Sequence, residues 1–187
     1  MASFSIGDFT SNLTGGGALA SLFECTVRGT QGIVGNTDKF KFQCKATTLP
    51  GDTIDVATVT YMGRGINIPS NRAAVQWTTT VYNDEGMEIR NHIESWMEQL
   101  NSHRTNVRAA NKIRINSYTG TLEVQTFGKE GGGTLKKSYE FIDAWPSAVG
   151  EITVDWETND IQTYDVTWEF SYWRSAQSNT GYGSNGG

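Results

Sequence analysis

The residues best able to do chemistry are few and poorly placed for it. The 187-residue chain has two histidines, His92 and His103. His92 stands in NHIES, which is not HExxH, so no second imidazole follows four residues on to share a zinc ion. There is no GxSxG elbow to expose a serine nucleophile and no GxxxxGK[ST] loop to wrap a phosphate. The glycines of 29–35 are closely spaced but lead into residues that read as a strand, so they lack the helix N-terminus that holds a phosphate. Cys25 and Cys44 are not a CxxC pair. Each lies in an apolar alternation and reads as a small buried thiol. A disulfide between them would need their strands to pair in register, and a reducing cytoplasm argues against it. Asp155 and Glu157 come nearest to a catalytic pair. On one strand face they would stand roughly 7 Å apart, a spacing that acid–base carboxylates use, yet no motif surrounds them. These absences exclude the common hydrolase, kinase and metalloenzyme patterns. The expectation is a non-enzymatic protein without metal or cofactor.

The elements that position these side chains read mainly as β. Glycine is abundant, at 21 residues, and only 19% of residues are charged. No run approaches the ~18 apolar residues of a membrane span, and the N-terminus lacks the basic and apolar regions of a secretory signal. A soluble protein made in a cytoplasm is therefore expected, with no membrane insertion by this chain. One domain is expected over 22–174, between flexible polar segments at 1–21 and 175–187. Phe23, Cys25 and Val27 alternate in one strand, and Phe40, Phe42 and Cys44 in a second over Lys39–Lys45, so the two read as a hairpin. Residues 47–72 read as a long extended arm, with a short strand near 55–62 and another at 66–68; an arm this long in a compact domain usually has a task. Val75, Trp77, Thr79 and Val81 share a strand face.

Asn83 or Asp84 then caps the one clear helix, in which Ile89, Ile93, Trp96, Met97 and Leu100 form a stripe at helical spacing. A short strand is expected at 111–117, a hairpin from 121–127 and 135–143, and a strand at 151–157 with Ile152, Val154 and Trp156 on one face. The longest strand is expected at 161–173, with Tyr164, Val166, Trp168, Phe170 and Tyr172 inward and a wet outer face. Six tryptophans and seven tyrosines serve a core or an oligomer interface; a sugar-binding sandwich is the competing use.

Net charge is −5, and its distribution is uneven. Residues 101–137 hold seven basic side chains (Arg104, Arg108, Lys112, Arg114, Lys129, Lys136, Lys137) against two acidic ones, Glu123 and Glu130. Residues 138–174 hold eight acidic side chains (Glu140, Asp143, Glu151, Asp155, Glu157, Asp160, Asp165, Glu169) against Arg174 alone. Such polarity suits a subunit that meets its own copies through opposite patches.

Four stretches in order resemble the tail tube family of contractile-tailed (myovirus-type) bacteriophages: FKFQCKATTLPG at 40–51, YMGRGINIPSNR at 61–72, VQWTTTVYNDEGMEIRNHIESW at 75–96, and AWPSAVGEITVDWETNDIQTYDVTWEFSYW at 144–173. The resemblance covers roughly residues 22–174. It implies a mainly β fold of two packed antiparallel sheets, a sandwich or flattened barrel, with one flanking α-helix. It also implies hexameric rings stacked into a virion tube that conducts DNA during ejection. The implied partners are further copies of the chain, the tail sheath protein, the baseplate initiator, the tape-measure protein and the tail terminator, with assembly in the host cytoplasm. The tube of a contractile bacteriocin or secretion system is the near alternative. A DNA bore should not be strongly basic, because each neutralised phosphate adds affinity and holds the duplex. Asp155, Glu157, Asp165 and Glu169 are therefore the expected lumen-facing residues. Pro50, Asp52, Asp55, Arg64, Asn67 and Arg72 mark the arm expected to bridge rings.

Overall fold

The computed structural model describes residues 6–29, 37–73, 75–130 and 133–177. In chain order these form helix α1 (Ile6–Asn12), a 3-10 turn at Thr14–Gly16, strand β1 (Phe23–Gly29), helix α2 (Thr37–Gln43), strands β2 (Cys44–Thr47), β3 (Thr53–Tyr61), β4 (Arg64–Ala73) and β5 (Trp77–Tyr82), helices α3 (Glu88–Leu100) and α4 (Ile115–Tyr118), and strands β6 (Gly120–Phe127), β7 (Leu135–Val149), β8 (Thr163–Glu169) and β9 (Tyr172–Gln177). The chain is mainly β, with one seven-stranded and one two-stranded antiparallel sheet. The larger sheet follows the path β1-β6-β7-β8-β5-β2, with β9 also on β7.

A bend in β7 turns that single path into two layers. Residues 137–142 of β7 pair with β9, and residues 145–149 pair with β8. Between them Asp143 takes a left-handed backbone (φ 55°), and the register against β6 slips between Gly120 and Leu122. An extra residue of this kind bends the strand that carries it. The partner must break at the same level, and it does: β8 ends at Glu169, Ser171 N donates to Ile142 O at 3.0 Å, and β9 begins at Tyr172. The strand expected at 161–173 is thus two strands, and the 15-residue β7 is the longest. Beyond the break, Trp173 packs on the core while Tyr172 is exposed.

One aromatic core fills the space between the layers. Trp77 of β5 stacks on Phe141 of β7 with ring centroids 4.5 Å apart, and Phe170 meets Phe141 edge-on at 5.0 Å. Trp168 lies against Phe40 and Trp96, and its indole N–H donates to Thr79 Oγ1 at 2.9 Å, so the buried polar edges of both residues are paired. The helical stripe behaves as its spacing requires: Ile89, Ile93 and Trp96 are buried, and Met97 and Leu100 pack beside them. Trp96 Nε1 donates to Tyr118 O at 2.7 Å, which ties α4 to α3. The fold is an open sandwich, since β1 and β2 stand unjoined at the two ends of the path.

Several local expectations are corrected. Residues 39–43 are helical, and β1 pairs with β6 while β2 pairs with β5, so the first hairpin does not form. In a strand Phe40 and Phe42 would share a face. In α2 they diverge: Phe40 is buried and Phe42 is 80% exposed. Lys39 pairs with Asp84 and Glu88, and Lys41 with Glu24, which fixes the turn of helix. Cys25 and Cys44 are free thiols; the Cys44 thiol and burial both push the Cys25 thiol upward.

Neither Asn83 nor Asp84 is the residue before the helix. Asn83 bonds Gln162 through backbone and side chain at 2.9 Å, and α3 starts after Met87, although Asp84 Oδ1 still accepts the N–H of Glu88 at 3.2 Å. Residues 115–118 make a helical turn, not a strand. Residues 151–157 form no strand either: pairing along β7 stops at Val149, and no strand among the described residues pairs with them. Besides α3, three shorter helices are present among the described residues, α1 within the segment expected to be loose. The expected tail at 175–187 lies outside the described residues beyond Gln177.

Candidate assembly surfaces

The residues outside the core define three surfaces. The first is the arm. Residues 53–73 fold back on themselves as β3 and β4, joined at Met62-Gly63, which both have positive φ (49° and 78°). Two successive left-handed residues make the tight turn that matches strand twist. Glycine suits this geometry; methionine does not, yet Met62 occupies it with 89% of its surface exposed. At roughly 3.4 Å per residue the nine residues of β3 span about 30 Å. Every residue of β3 is exposed.

Cross-strand pairing sorts the arm into two faces. Ala57 pairs with Ile68, Val59 with Ile66 and Tyr61 with Arg64, which makes an almost wholly apolar face. Thr58 and Asn67 lie on the other face, with Thr58 Oγ1 donating to Asn67 Oδ1 at 3.0 Å. Asp52 and Arg72 close the base of the hairpin with an ion pair at 3.1 Å. Of the six arm residues marked in the sequence, Asp52, Asn67 and Arg72 hold the hairpin together. Pro50 precedes it, and Asp55 and Arg64 stand exposed on its strands. The apolar row Val59, Tyr61, Ile66 and Ile68 was not singled out, although its period-two spacing in both strands was available as a signal.

The second surface is the outer face of the layer built from β5 and β8. Thr78, Thr80 and Tyr82 point outward from β5, because Trp77, Thr79 and Val81 are buried. Thr163, Asp165, Thr167 and Glu169 point outward from β8. Register sets Thr78 beside Thr167 and Thr80 beside Asp165. Thr80 Oγ1 donates to Asp165 Oδ1 at 2.6 Å, and Gln76 binds Glu169. The face is a sheet of hydroxyls with two carboxylates; Lys45 sits at its β2 margin over the Tyr82 ring. Gly150 lets the chain leave this face closely: an added Cβ there would stand 3.1 Å from the backbone oxygen of Asp165.

The third surface is the stretch 151–161. Asp155 and Glu157 lie here, joined by a bond from Glu157 N to Asp155 Oδ1 at 3.1 Å. The structure therefore brings Asp165 and Glu169 together and sets Asp155 and Glu157 apart on a different segment. Val154 and Ile161 are 75% and 69% exposed, and Trp156 is fully exposed. No group of three or more residues suited to a metal occurs among the described residues. No helix there is long and apolar enough to cross a membrane.

Comparison with known proteins gives these surfaces a context. The solved tube-type structures share the fold at low identity. A chain of an extracellular contractile injection system, the PVC sheath-tube complex in the extended state, superposes with a TM-score of 0.62 at 13% identity, covering 94% of this chain and 99% of that one. A chain of the anti-feeding prophage cap, a tube-terminating cap, gives 0.62 at 12% identity over 86% and 91%. In sequence, the tail tube protein gp19 of Enterobacteria phage T4 is 33% identical over 135 residues, which are 72% of this chain and 80% of that protein. Residues 13–176 match the family described as phage tail tube protein, and by the extent of that match the chain belongs to this family.

Proposed function

We propose that the chain assembles as six-membered rings that stack into a hollow tail tube, with the contractile sheath outside and DNA passing through the bore during ejection. As a phage tail tube protein it is a structural component of the virion and not an enzyme. The observation that carries the assembled form is the arm. A two-stranded hairpin alone in water is marginal at best, and this one carries an apolar face on Val59, Tyr61, Ile66 and Ile68, each 46–68% exposed. Such a face calls for a protein surface to cover it. A neighbouring ring is the surface that repeats along a tube, so the arm bridges rings.

The hydroxyl-lined face of β5 and β8 suits the bore. Asp165 and Glu169 repel phosphate, and threonines supply no cation to retain it. The lumen assignment therefore covers Asp165 and Glu169, while Asp155 and Glu157 stand on the separate 151–161 stretch. Sheath, baseplate initiator, tape-measure and terminator proteins are the partners this reading requires. It favours a phage tail over a related injection device, because the 33% identity is to a phage protein. Electron microscopy of the purified chain, together with ejection assays on phage carrying Asp165→Lys and Glu169→Lys, tests it. Hollow tubes from both proteins with slowed ejection from the variant are expected. Unchanged ejection with lost sheath binding would move this face to the outside of the tube.

A further inference from the structure

Two exposed patches of opposite charge lie towards opposite ends of α3. Beyond its C-terminal end, residues 101–115 contain Arg104, Arg108, Lys112 and Arg114 and no carboxylate. This loop is anchored to the helix end by Ala109 N to Gln99 O at 3.1 Å and Arg108 Nε to Leu100 O at 3.3 Å. Lys112 is buried, but the three arginines are exposed. Nearer the N-terminal end, Arg90 Nη1 donates to Gly150 O at 3.2 Å, where the chain enters 151–161. That stretch contains Glu151, Asp155, Glu157 and Asp160 and no cation. Arg90 and Leu100 are about 15 Å apart along the helix at 1.5 Å per residue.

Each patch also exposes large apolar side chains. Val107, Ile113 and Ile115 are 63%, 72% and 50% exposed in the basic loop. Val154, Trp156 and Ile161 are likewise exposed in the acidic stretch. Scattered exposed apolar residues are ordinary, but three within a short stretch, flanked by charges of one sign, match the core-and-rim pattern of an interface. An exposed tryptophan and arginines are also the residue types that dominate binding energy, and a guanidinium packs well on an indole face.

We propose that the 101–115 loop of one copy docks on the 151–161 stretch of the next, with Trp156 at the centre and Arg104, Arg108 and Arg114 facing Glu151, Asp155, Glu157 and Asp160. This rests on the self-assembly reading above and deepens it by naming one contact. The occupant is a second copy because the charges and the apolar sets complement each other within one sequence, while α3 holds them apart within one molecule. The contact joins two different surfaces, so each copy offers both halves and the contact propagates into a ring or a filament. It also accounts for the alternation at 151–157 that no strand in the monomer uses: Ile152 packs on the core, while Val154 and Trp156 await the neighbour.

Reciprocal charge reversal tests this. One variant carries Arg104→Glu and Arg114→Glu, leaving Arg108 to anchor the loop; the other carries Asp155→Arg, Glu157→Arg and Asp160→Arg. Circular dichroism verifies that both fold, as exposed substitutions should allow. Sedimentation and electron microscopy then measure assembly. Each variant alone should need at least about tenfold more protein than wild type to assemble, since like charges face each other at every contact. Mixed in equal amounts they should co-assemble, because every contact between unlike copies again joins opposite charges. Near-normal assembly of either variant alone, or no recovery in the mixture, overturns the contact and leaves the tube reading standing. Wild-type protein that stays monomeric at all concentrations, even on a preformed tube end, overturns both.

Discussion

The arm offers the cleanest separation of folding from assembly. Ile66 and Ile68 lie on β4, pair with Val59 and Ala57, and are 51% and 46% exposed. Threonine at both positions keeps the β-branched shape that strands favour and removes apolar surface. About half of each isoleucine remains to be covered. Complete burial of such a side chain contributes about 1.5–3 kcal/mol, so the uncovered half is worth roughly 1 kcal/mol, or about 2 kcal/mol for the pair. At about 1.4 kcal/mol per factor of ten, that is roughly 30-fold in affinity; a retained methyl group lowers the expectation to roughly 10- to 30-fold. Ile66→Thr/Ile68→Thr should therefore raise the protein concentration needed for tube formation by that factor, read by sedimentation of the polymer. Urea unfolding of the soluble subunit should change by less than about 0.5 kcal/mol, because neither residue touches the core. Tubes at the wild-type concentration would show that the apolar face does not mediate assembly. A subunit weakened by more than about 1 kcal/mol would show that the arm packs on its own domain.

The core and the acid response can be checked on the same soluble subunit. Trp168→Ala should lower stability by about 3–5 kcal/mol in urea titrations, since the side chain is fully buried and its N–H bond to Thr79 is lost; Trp156→Ala, at a fully exposed position, should leave stability unchanged. The hydrogen bond from Lys39 holds the Asp84 carboxyl below the ordinary carboxylate range. A depressed folded value means that this contribution is present above the unfolded carboxylate value and is lost as pH falls through the folded one. Asp84→Asn should flatten the decline in stability below about pH 4, and an unaltered acid limb would remove Asp84 from the acid response. Lys39 bounds the other side: hydrogen bonds to Asp84 and Glu88 raise its value, so while those carboxylates are ionised its contribution is present below the ordinary lysine value and is lost as pH rises through the raised one.

Much of this architecture was legible wherever a side-chain period met a partner that could reward it. The α3 stripe needed only a sheet to lie on, and β5, β6 and the first half of β7 needed only neighbours that the chain supplies. Alternation misled at two places for the same reason. Phe40, Phe42 and Cys44 alternate, but among the described residues no strand pairs with 39–43, and ion pairs to Asp84, Glu88 and Glu24 hold them as a helix. Residues 151–157 alternate, but no strand among the described residues pairs with them. The break at Phe170-Ser171 was invisible because its cause is remote: Asp143 bends β7, and its partner strand must bend with it. The candidate surfaces were legible as charge and position, not as contact. Polar residues were marked on the arm because charges draw notice in a sequence, whereas the surface proposed for assembly is the apolar row between them.

These placements follow from a division of labour in the fold. The buried cluster draws on β1, β5, β6, β7, β8, α2 and α3 and includes no residue from β3 or β4; from the stretch 151–161 only Ile152 packs against it. The subunit can thus reach its folded stability without covering the arm or Trp156. A tube made of many copies needs that independence, since each copy must stay folded and soluble until a growing end accepts it. In the proposed contact, the net charge of −5 and the opposed patches would restrain random encounter, because attraction would arise where a basic loop faces an acidic stretch. If the two functions were merged, substitutions on the arm would unfold the subunit and charge reversals would lower its stability. If they are separate, both classes leave the urea midpoint unmoved and differ only in what they do to the polymer: Ile66→Thr/Ile68→Thr is not rescued by any charge-reversed partner, whereas each reversed variant is rescued by the other.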